Sequence, residues 1–281
     1  MRIFVFISAF FILHSAFAQG FWTPRIGGTN LVYWQTFDRT NSNATLDDAS
    51  GNGILSTNVG APSLVGGVVG GAMSFSGANQ TITSLTNLIS SGTNLTISCW
   101  IYSTVAFNSG TRRMIYGHFN STTSTEISAQ VFTDNNWYIG SVSGVGLDHR
   151  FISAASTSNW KQNQWMMMTI VLSSNTVFYI NGSSFGTNSV QPNPQNVARN
   201  FRIASHDGTA FFNGIIDDFR IYNRALADAE VSSMVYLDGT TYKPRLAYRS
   251  GQPMTDADCA IAYAAMKQTN YSMWAFWEGK R

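Results

Sequence analysis

The sequence of 281 residues carries little charge: only 11% of its residues are Asp, Glu, Lys or Arg, and the formal net charge is +2. No basic stripe or acidic run stands out, so nucleic acid is not expected as a partner. Cysteine is also scarce: the chain has only Cys99 and Cys259, which are too few for a disulfide framework. Cys99 is expected to be a small buried hydrophobe within a strand. A disulfide bond between Cys99 and Cys259 is the alternative, because an oxidising compartment would permit it.

Glutamate is scarcer still, with Glu126, Glu230 and Glu278 the only three in the chain. Glycoside hydrolysis generally needs two carboxylates that flank the scissile bond. None of the three is spaced to form such a pair, and the neighbours Asp217 and Asp218 should point to opposite faces of a strand. The histidines are scattered and match no metal-ligand spacing. The sequence therefore predicts a protein that is not an enzyme and has no catalytic residues.

Long apolar runs are missing except at the N-terminus, where Arg2 is followed by the apolar run 3–13 and then by Ala-Phe-Ala. This order is typical of a secretory signal peptide. The alternative is a membrane anchor, but the run is too short to cross about 30 Å of hydrocarbon comfortably. Residues 1–18 are therefore predicted to be removed, which leaves Gln19 as the first residue of a linker over 19–29. The protein is expected to be secreted, in the extracellular space or at the cell surface, with no membrane span after cleavage.

Between Leu31 and Tyr222 the chain reads as a series of short strands. Apolar and polar residues alternate, turn residues separate the runs, and no helical period of any length appears. Ser173–Thr176 and Asn181-Gly182 predict hairpin turns. So many short strands predict an all-β fold, either a sandwich or a jelly roll. The clearest strands are LVYWQTF, GAMSFSG, TISCWIYS, RRMIYGHF, EISAQVF, NWYIGSV, WMMMTIVL, TVFYING, FRIAS and GIIDDFRIYN.

Two segments depart from the strand pattern. Residues 223–235 are predicted to leave the last strand as a short helical turn, with Leu226 as an apolar contact. Residues 239–281 are predicted to form a C-terminal tail with one short helix, because Thr255 can cap an Ala-rich segment. The apolar residues of the tail, such as Trp274, would make a sticky patch if exposed. Docking on the same chain, self-assembly with another chain and disorder are the three alternatives for the tail.

Several segments, in this chain order, resemble one known family. They are YWQTFD with DDASGNG, GGAMSFSG, LTISCWIYS, WMMMTIVL with TVFYINGSSFG, and FNGIIDDFRIYNRALADAEV. The family is the laminin G-like, concanavalin A-like lectin and glucanase jelly roll, which is found in many secreted and surface proteins. The resemblance covers residues 30–238 and implies one domain there, an all-β, two-sheet antiparallel jelly-roll sandwich. It does not cover roughly the final forty residues.

The resemblance also implies one structural calcium ion near the first and last strands. Ca²⁺ prefers about six to eight oxygen ligands. The expected ligands are Asp38, Asp48, Asn52 and Asp217. Strand alternation places Asp217 on the core face with Phe219, and Asp218 on the opposite face beside Arg220. A buried carboxylate needs a partner, and the alternative to calcium is a set of backbone N–H groups.

With catalysis not expected, the remaining function for the domain is binding. Aromatic rings stack on the C–H faces of sugars, and polar side chains hydrogen-bond to the hydroxyl groups. The candidate ligand-binding residues are Trp137, Tyr138, Trp160, His206 and Asp207. The alternative is that the tryptophans belong to the core or cover a strand edge. The predicted function is a secreted, non-catalytic module that binds glycans or proteins at the cell surface or in the extracellular matrix. A structural subunit of an extracellular assembly is the alternative, and a polysaccharide-degrading hydrolase with an unfamiliar site is the third hypothesis.

Overall fold

The computed structural model describes residues 30–38, 45–46, 48–68, 70–89, 94–120, 125–142, 150–154, 159–189, 200–206, 208–235, 237–238 and 241–242. Gly27–Ser232 forms one compact unit. The remaining residues form a second unit, of which the structure describes only a few positions after Ser232. The predicted signal peptide 1–18, the linker 19–29 and the helix of the tail 239–281 lie outside the described residues, so these boundaries stay predictions.

Strands make up most of the regular structure in the described part of the chain. In chain order they are β1 (Leu31–Gln35), β2 (Thr45–Leu46), β3 (Ser56–Val59), β4 (Ser63–Gly66), β5 (Gly71–Ser76), β6 (Thr81–Ser84), β7 (Leu95–Ser103), β8 (Arg113–Asn120), β9 (Thr125–Val131), β10 (Asn136–Val142), β11 (Phe151–Ala154), β12 (Trp165–Leu172), β13 (Thr176–Ile180), β14 (Ser183–Asn188), β15 (Arg202–Ile203), β16 (Asn213–Tyr222), β17 (Leu237–Asp238) and β18 (Thr241–Tyr242). One helix, α1 (Asp228–Met234), follows β16. The predicted all-β fold with a short helical turn after the last long strand is confirmed.

The strands form two antiparallel sheets that pack face to face. The first sheet has the order β14-β13-β12-β7-β16-β5-β4, and β1 also pairs with β16. The second sheet has the order β11-β10-β9-β8-β15-β6-β3-β2. Strands β17 and β18 pair separately with each other. The crossing connections between neighbours that are distant in sequence make this sandwich a jelly roll, as predicted.

Each sheet turns an alternating row of apolar side chains toward the other sheet, and these rows form the core. On β7 and β9 the inward residues are Ile97, Cys99, Ile101, Ile127, Ala129 and Val131. Their neighbours in the strands therefore point away from the core. Cys99 is a free, buried thiol, and burial raises its pKa above the usual range. Cys259 lies outside the described residues.

A β-bulge at Asp218 resets the alternation along β16. Asp217 pairs with Trp100 and Arg220 pairs with Ser98, so two residues of β16 oppose one residue of β7. Asp218 has a φ of 52°. Ile216 and Phe219 both belong to the core cluster. Because neighbouring residues alternate, Asp217 faces outward beside Ile216, and the prediction that it shares the core face with Phe219 is wrong.

The predicted tight turn at Asn181-Gly182 is confirmed. Both residues have positive φ values, 49° and 75°, and Ile180 pairs with Ser183 across the turn. These values fit the primed hairpin turns that match the strand twist. The hydroxyl of Ser232 in α1 donates to the carbonyl of Gly182 at 2.8 Å. The turn therefore also anchors the helix that closes the fold.

Candidate functional site

Two of the predicted ligand-binding residues, Trp137 and Trp160, lie in the core. Their exposed fractions are 0% and 2%, and their ring centroids are 5.2 Å apart. The indole Nε1 of Trp137 donates to Asn159 Oδ1 at 3.1 Å, and that of Trp160 donates to the carbonyl of Val105 at 2.8 Å. Both polar groups are therefore satisfied within the fold, and neither ring presents a face to a ligand. This agrees with the alternative interpretation of these tryptophans as core residues.

Tyr138, the third predicted residue, points the opposite way from Trp137 and lies on the outward face of the second sheet. It is half-buried. Its partners across β9 and β11 are Gln130 and Ile152, which also face outward. Ile152 is 46% exposed. Tyr138 therefore belongs to a surface that a ligand can reach.

Tyr138 is part of a row of four side chains that we call the Arg–aromatic stripe: Arg112, Phe132, Tyr138 and Arg150. The Arg112 Cζ lies 5.2 Å from the Phe132 ring centroid. The Phe132 and Tyr138 centroids are 5.3 Å apart, with their planes tilted by 57°. The Arg150 Cζ lies 4.9 Å from the Tyr138 centroid. Two aromatic rings are thus flanked at each end by a guanidinium within cation–π distance.

The stripe forms where three separate segments meet on the second sheet. Arg112 directly precedes β8, and Arg150 directly precedes β11. Phe132 follows β9 and is joined to β10 by a tight hairpin, in which its backbone N–H donates to the carbonyl of Asn136 at 2.9 Å. Arg113 pairs with Val131, so Arg112 and Phe132 lie at the same edge of the sheet. Phe151 pairs with Ile139, so Arg150 lies beside the middle of β10, near Tyr138.

Alternation separates Arg112 from its neighbour Arg113. Arg112 faces outward, where its Nε donates to Gln130 Oε1 at 2.6 Å. Arg113 points inward, donates to the carbonyls of Ala106 and Phe107, and stacks on the Trp160 ring at 5.0 Å. Burial lowers the pKa of Arg113 to about 10. Arg113 is therefore a structural residue, and Arg112 is the one of the pair that carries charge at the surface.

Polar groups accompany the two rings. The hydroxyl of Tyr138 donates to Asp134 Oδ2 at 2.8 Å, and Asn136 donates to Asp134 through both its backbone N–H and its side-chain amide. Desolvation acts to raise the pKa of Asp134, but these hydrogen bonds outweigh it and hold the pKa below its ordinary value. The stripe thus combines ring surface, two cations, one carboxylate and amide groups, the chemistry that glycan recognition uses.

His206 lies in the loop between β15 and β16, and Asp207 lies outside the described residues. The loop packs on the outward side of β8, since the His206 Cα lies 3.6 Å from the position of a Cβ on Gly117. The carbonyl of Ala210 accepts a hydrogen bond from the Met114 N–H at 3.0 Å. His206 is itself buried. The structure therefore places this loop on the same sheet face as Tyr138.

The predicted metal ligands Asp48 and Asn52 lie in the loop between β2 and β3 and form hydrogen bonds with β1 and within that loop. Asp48 accepts hydrogen bonds from the backbone N–H groups of Trp34, Ser50 and Ile54 and from the Ser50 hydroxyl. The Asn52 amide donates to the carbonyls of Leu31 and Val32. These contacts fasten the loop to the first strand.

The other two predicted ligands, Asp38 and Asp217, contact one glycine-rich turn between β4 and β5. Asp217 Oδ2 accepts the Val68 N–H, and Asp38 Oδ1 accepts the Gly71 N–H, each at 2.8 Å. A Cβ on Gly67 would lie 2.5 Å from Asp217 Oδ2, so only glycine lets the turn approach this closely. The backbone N–H of Val68 is therefore one hydrogen-bond partner of the buried Asp217 carboxylate.

The predicted calcium ligands already take part in hydrogen bonds within the fold. Asp38, Asp48 and Asp217 direct oxygens at N–H donors, whereas Ca²⁺ requires a cluster of oxygen ligands. Among the residues that the structure describes, no group of three or more His, Cys, Asp or Glu side chains could hold a metal ion. The contacts favour the hydrogen-bond interpretation, and calcium binding stays a prediction.

Sequence reasoning missed Arg112, Phe132 and Arg150 as neighbours of Tyr138. Phe132 and Tyr138 lie in two neighbouring predicted strands, EISAQVF and NWYIGSV, and the three-residue connection 133–135 is a signal that could have paired them. The position of the two arginines depends on strand register, which the sequence pattern does not give.

The family model of the concanavalin A-like lectin/glucanases superfamily matches residues 75–232, which span most of both sheets and the closing strand. The chain belongs to this superfamily. No curated protein sequence matches the chain significantly. As a member of the concanavalin A-like superfamily it has the two-sheet sandwich that its residues predict. No helix in the described part of the chain is long and apolar enough to cross a membrane.

Solved structures share this fold at low sequence identity. The binding domain of Paraclostridial Mosquitocidal Protein 1 has 21% identity and a TM-score of 0.57, over 73% of this chain and 51% of that one. Domain 4 of AbnA, a GH43 extracellular arabinanase from Geobacillus stearothermophilus, in complex with arabinotriose, has 21% identity and a TM-score of 0.56, over 73% of this chain and 98% of that one. The botulinum neurotoxin serotype D ligand binding domain, in complex with N-acetylneuraminic acid, has 17% identity and a TM-score of 0.57, over 73% of this chain and 50% of that one. The chain spans about half the length of the two toxin domains.

Proposed function

We propose that the protein is a secreted, non-catalytic module that binds glycans through the Arg–aromatic stripe on the outward face of its second sheet. The observation that carries the proposal is the half-exposed pair of rings, Phe132 and Tyr138, with their centroids 5.3 Å apart. Aromatic surface at this exposure suits stacking against the C–H face of a sugar. The neighbouring Asp134 and Asn136 supply hydrogen-bond acceptors and donors for hydroxyl groups.

The chemistry of the described carboxylates supports a non-catalytic role. Glu230 forms two hydrogen bonds with Arg224, at 2.6 and 2.7 Å, and accepts the N–H of Ala227. Its contacts are those of a helix cap. Asp217 and Asp218 face the same outward side of the first sheet, but each is engaged in fixing the backbone or a buried arginine. A pair of carboxylates poised across a substrate is not found among these residues.

Two of the similar solved structures hold saccharides, arabinotriose in the arabinanase domain and N-acetylneuraminic acid in the neurotoxin domain. Their sequence identity to this chain is low, so they support the ligand class and not a particular sugar. The predicted signal peptide over residues 1–18 supports secretion. We infer that the ligand is a saccharide of a cell surface or extracellular matrix.

The test is binding of the full mature chain to a glycan array, followed by titration of the strongest ligand. Tyr138→Ala should weaken binding by about tenfold or more, because it removes a stacking ring. Tyr102→Ala is a matched control, since Tyr102 is also a half-buried tyrosine but lies on the first sheet, against Trp165 at 5.6 Å. If both variants bind as tightly as the unaltered chain, the stripe is not the site. If no array saccharide binds, the function itself is wrong.

The same array includes an arm for calcium. The unaltered chain is measured with a chelator and with added Ca²⁺. Equal binding and equal melting temperatures in the two conditions would remove the calcium prediction for Asp38, Asp48, Asn52 and Asp217. A chelator-dependent loss would show that further ligands complete a site around these carboxylates.

A further inference from the structure

We propose that the Arg–aromatic stripe selects saccharides that carry carboxylate or sulfate groups over their neutral counterparts. This inference rests on the proposed function and names the ligand class of the same site. It follows from the two guanidinium groups, one at each end of the pair of rings.

Both guanidinium groups lie within cation–π distance of an aromatic ring. The Arg112 Cζ lies over the Phe132 ring and the Arg150 Cζ over the Tyr138 ring. A guanidinium can contact a ring through its flat face and direct N–H donors from its edge to another group. Each guanidinium has five such donors, so a hydrogen bond within the fold, such as Arg112 Nε to Gln130, does not exhaust them. This edge matches carboxylate and sulfate oxygens in paired hydrogen bonds.

The charges along the stripe favour an anion at its two ends. Arg112 and Arg150 contribute two positive charges, and the exposed Asp134 beside the Tyr138 hydroxyl contributes one negative charge. Asp134 lies in the middle of the row and repels an anion there. A saccharide with a neutral stretch over the rings and acidic groups near the arginines fits this order of charges best.

The arrangement also distinguishes the stripe from a general basic surface. The chain has a formal net charge of only +2, so long-range attraction of a polyanion is weak. Selectivity for acidic saccharides must therefore come from local contacts. The positions of individual arginines should matter more than the total charge.

The experiment compares matched pairs of polymers with the full mature chain at physiological salt. Polygalacturonate is compared with its methyl ester, and dextran sulfate with dextran. At least one acidic polymer should bind about tenfold tighter than its neutral partner, the effect of one charge-assisted hydrogen bond. Arg112→Gln and Arg150→Gln should each remove most of this preference. Asp134→Asn should strengthen binding of the acidic polymer, a gain that impaired folding cannot produce.

Lys161→Gln is the charge control, because Lys161 is exposed and the next residue, Gln162, bridges to Ser103 of β7 in the first sheet. It removes one positive charge and should leave the preference unchanged. Arg150→Lys keeps the charge but loses the planar guanidinium and its paired N–H donors, and should retain only part of the preference. Melting temperatures of all variants identify any that do not fold.

Each remaining outcome overturns a different statement. Equal affinity for acidic and neutral polymers overturns the ligand class and leaves glycan binding intact. Acidic preference that survives both arginine substitutions, or that falls equally with Lys161→Gln, overturns the assignment to the stripe. Failure to bind any of the four polymers or any saccharide of the array overturns the proposed function as well. Preference for only one of the two acidic polymers supports the proposal and identifies carboxylate or sulfate as the recognised group.

Discussion

The ion pair between Asp218 and Arg220 lies on the outward face of the first sheet, and we predict that removing one partner strongly destabilises the domain. The two side chains are 5% and 3% exposed, and Arg220 Nη2 donates to Asp218 Oδ2. The Trp34 Nε1 donates to Asp218 Oδ1 at 2.5 Å, and the Arg220 Cζ lies 5.0 Å from the Trp34 ring centroid. The three side chains therefore hold one another in a closed network.

Asp218→Asn is the substitution that removes the charge with the least other change. Asparagine tolerates the left-handed φ of 52° at this position, and its side-chain oxygen still accepts the Trp34 N–H. The change leaves the Arg220 charge buried without its carboxylate. Breaking a buried pair in this way costs about 3–5 kcal/mol. We expect a value near the lower end, about 3 kcal/mol, because the cation–π contact with Trp34 is retained.

The expected shift in melting temperature follows from the size of the compact unit, Gly27–Ser232. For a unit of this size, 1 kcal/mol corresponds to about 2–4 °C. Asp218→Asn should therefore lower the melting temperature by about 6–12 °C in calorimetry of the full chain.

A double-mutant cycle with Arg220→Met separates the ion pair from other effects. Each single variant leaves one buried charge, whereas the double variant leaves none. The cost of the double variant should be smaller than the sum of the single costs by about 2 kcal/mol. Additive costs, or a cost below about 1 kcal/mol for Asp218→Asn, would show that the pair is not coupled and that the reasoning is wrong.

Three further predictions concern the rest of the fold. Gly67→Ala should lower the free energy of unfolding by about 1–3 kcal/mol in urea denaturation, because its Cβ would lie 2.5 Å from the buried Asp217 Oδ2. Gly66→Ala is the control, since its Cβ would meet nothing within 4 Å. Equal urea midpoints for the two variants would contradict this. The hydrogen bonds from Arg224 lower the pKa of Glu230 from its ordinary 4.5 to about 2. The stabilising contribution of Glu230 is thus complete above pH 4.5 and is lost as the pH falls toward 2. Glu230→Gln should therefore reduce the fall in melting temperature over this pH range. An unchanged dependence of melting temperature on pH would contradict the prediction. Truncation after Asp238 should leave a folded jelly roll, as judged by circular dichroism, and an unfolded product would move the predicted domain boundary.

The long central strands could be predicted from the sequence because each turns a row of apolar side chains toward the core. In β7, for example, Ile97, Cys99 and Ile101 alternate with residues of the other face, and this period of two is visible in the sequence. The short strands at the sheet edges carry no such signal. All four residues of β4, Ser63–Gly66, are exposed, so its sequence has no buried face for alternation to reveal.

The bulge on β16 escaped prediction for a related reason. Alternation counts residues and assumes that each one advances the strand by one position. Asp218 adds a residue without advancing the pairing with β7. Its left-handed φ is one that Asp tolerates better than most side chains, so two adjacent aspartates inside a strand were a signal of a bulge. The carboxylates were correctly expected to need partners, but the faces on which they lie could not be counted from the sequence.

Trp137 and Tyr138 show what limits prediction of the site. Alternation requires that one of these neighbours faces the core and the other faces outward, but it does not say which. Pairing with β9 decides the matter, because Trp137 lies opposite the inward-facing Val131 and Tyr138 lies opposite Gln130. The larger and more apolar ring is therefore buried, and the ring with a hydroxyl group remains at the surface.

The arginines of the stripe depend on the same register. Arg112 and Arg150 are 38 positions apart in the sequence, and each stands immediately before a strand of the second sheet. A shift of one residue in either strand would turn its arginine toward the core. The hydrophobic core that fixes the fold thus also fixes which cations flank Phe132 and Tyr138. Charge at this surface is a consequence of strand register, and so an acidic ligand could be inferred only once the pairing of the strands was known.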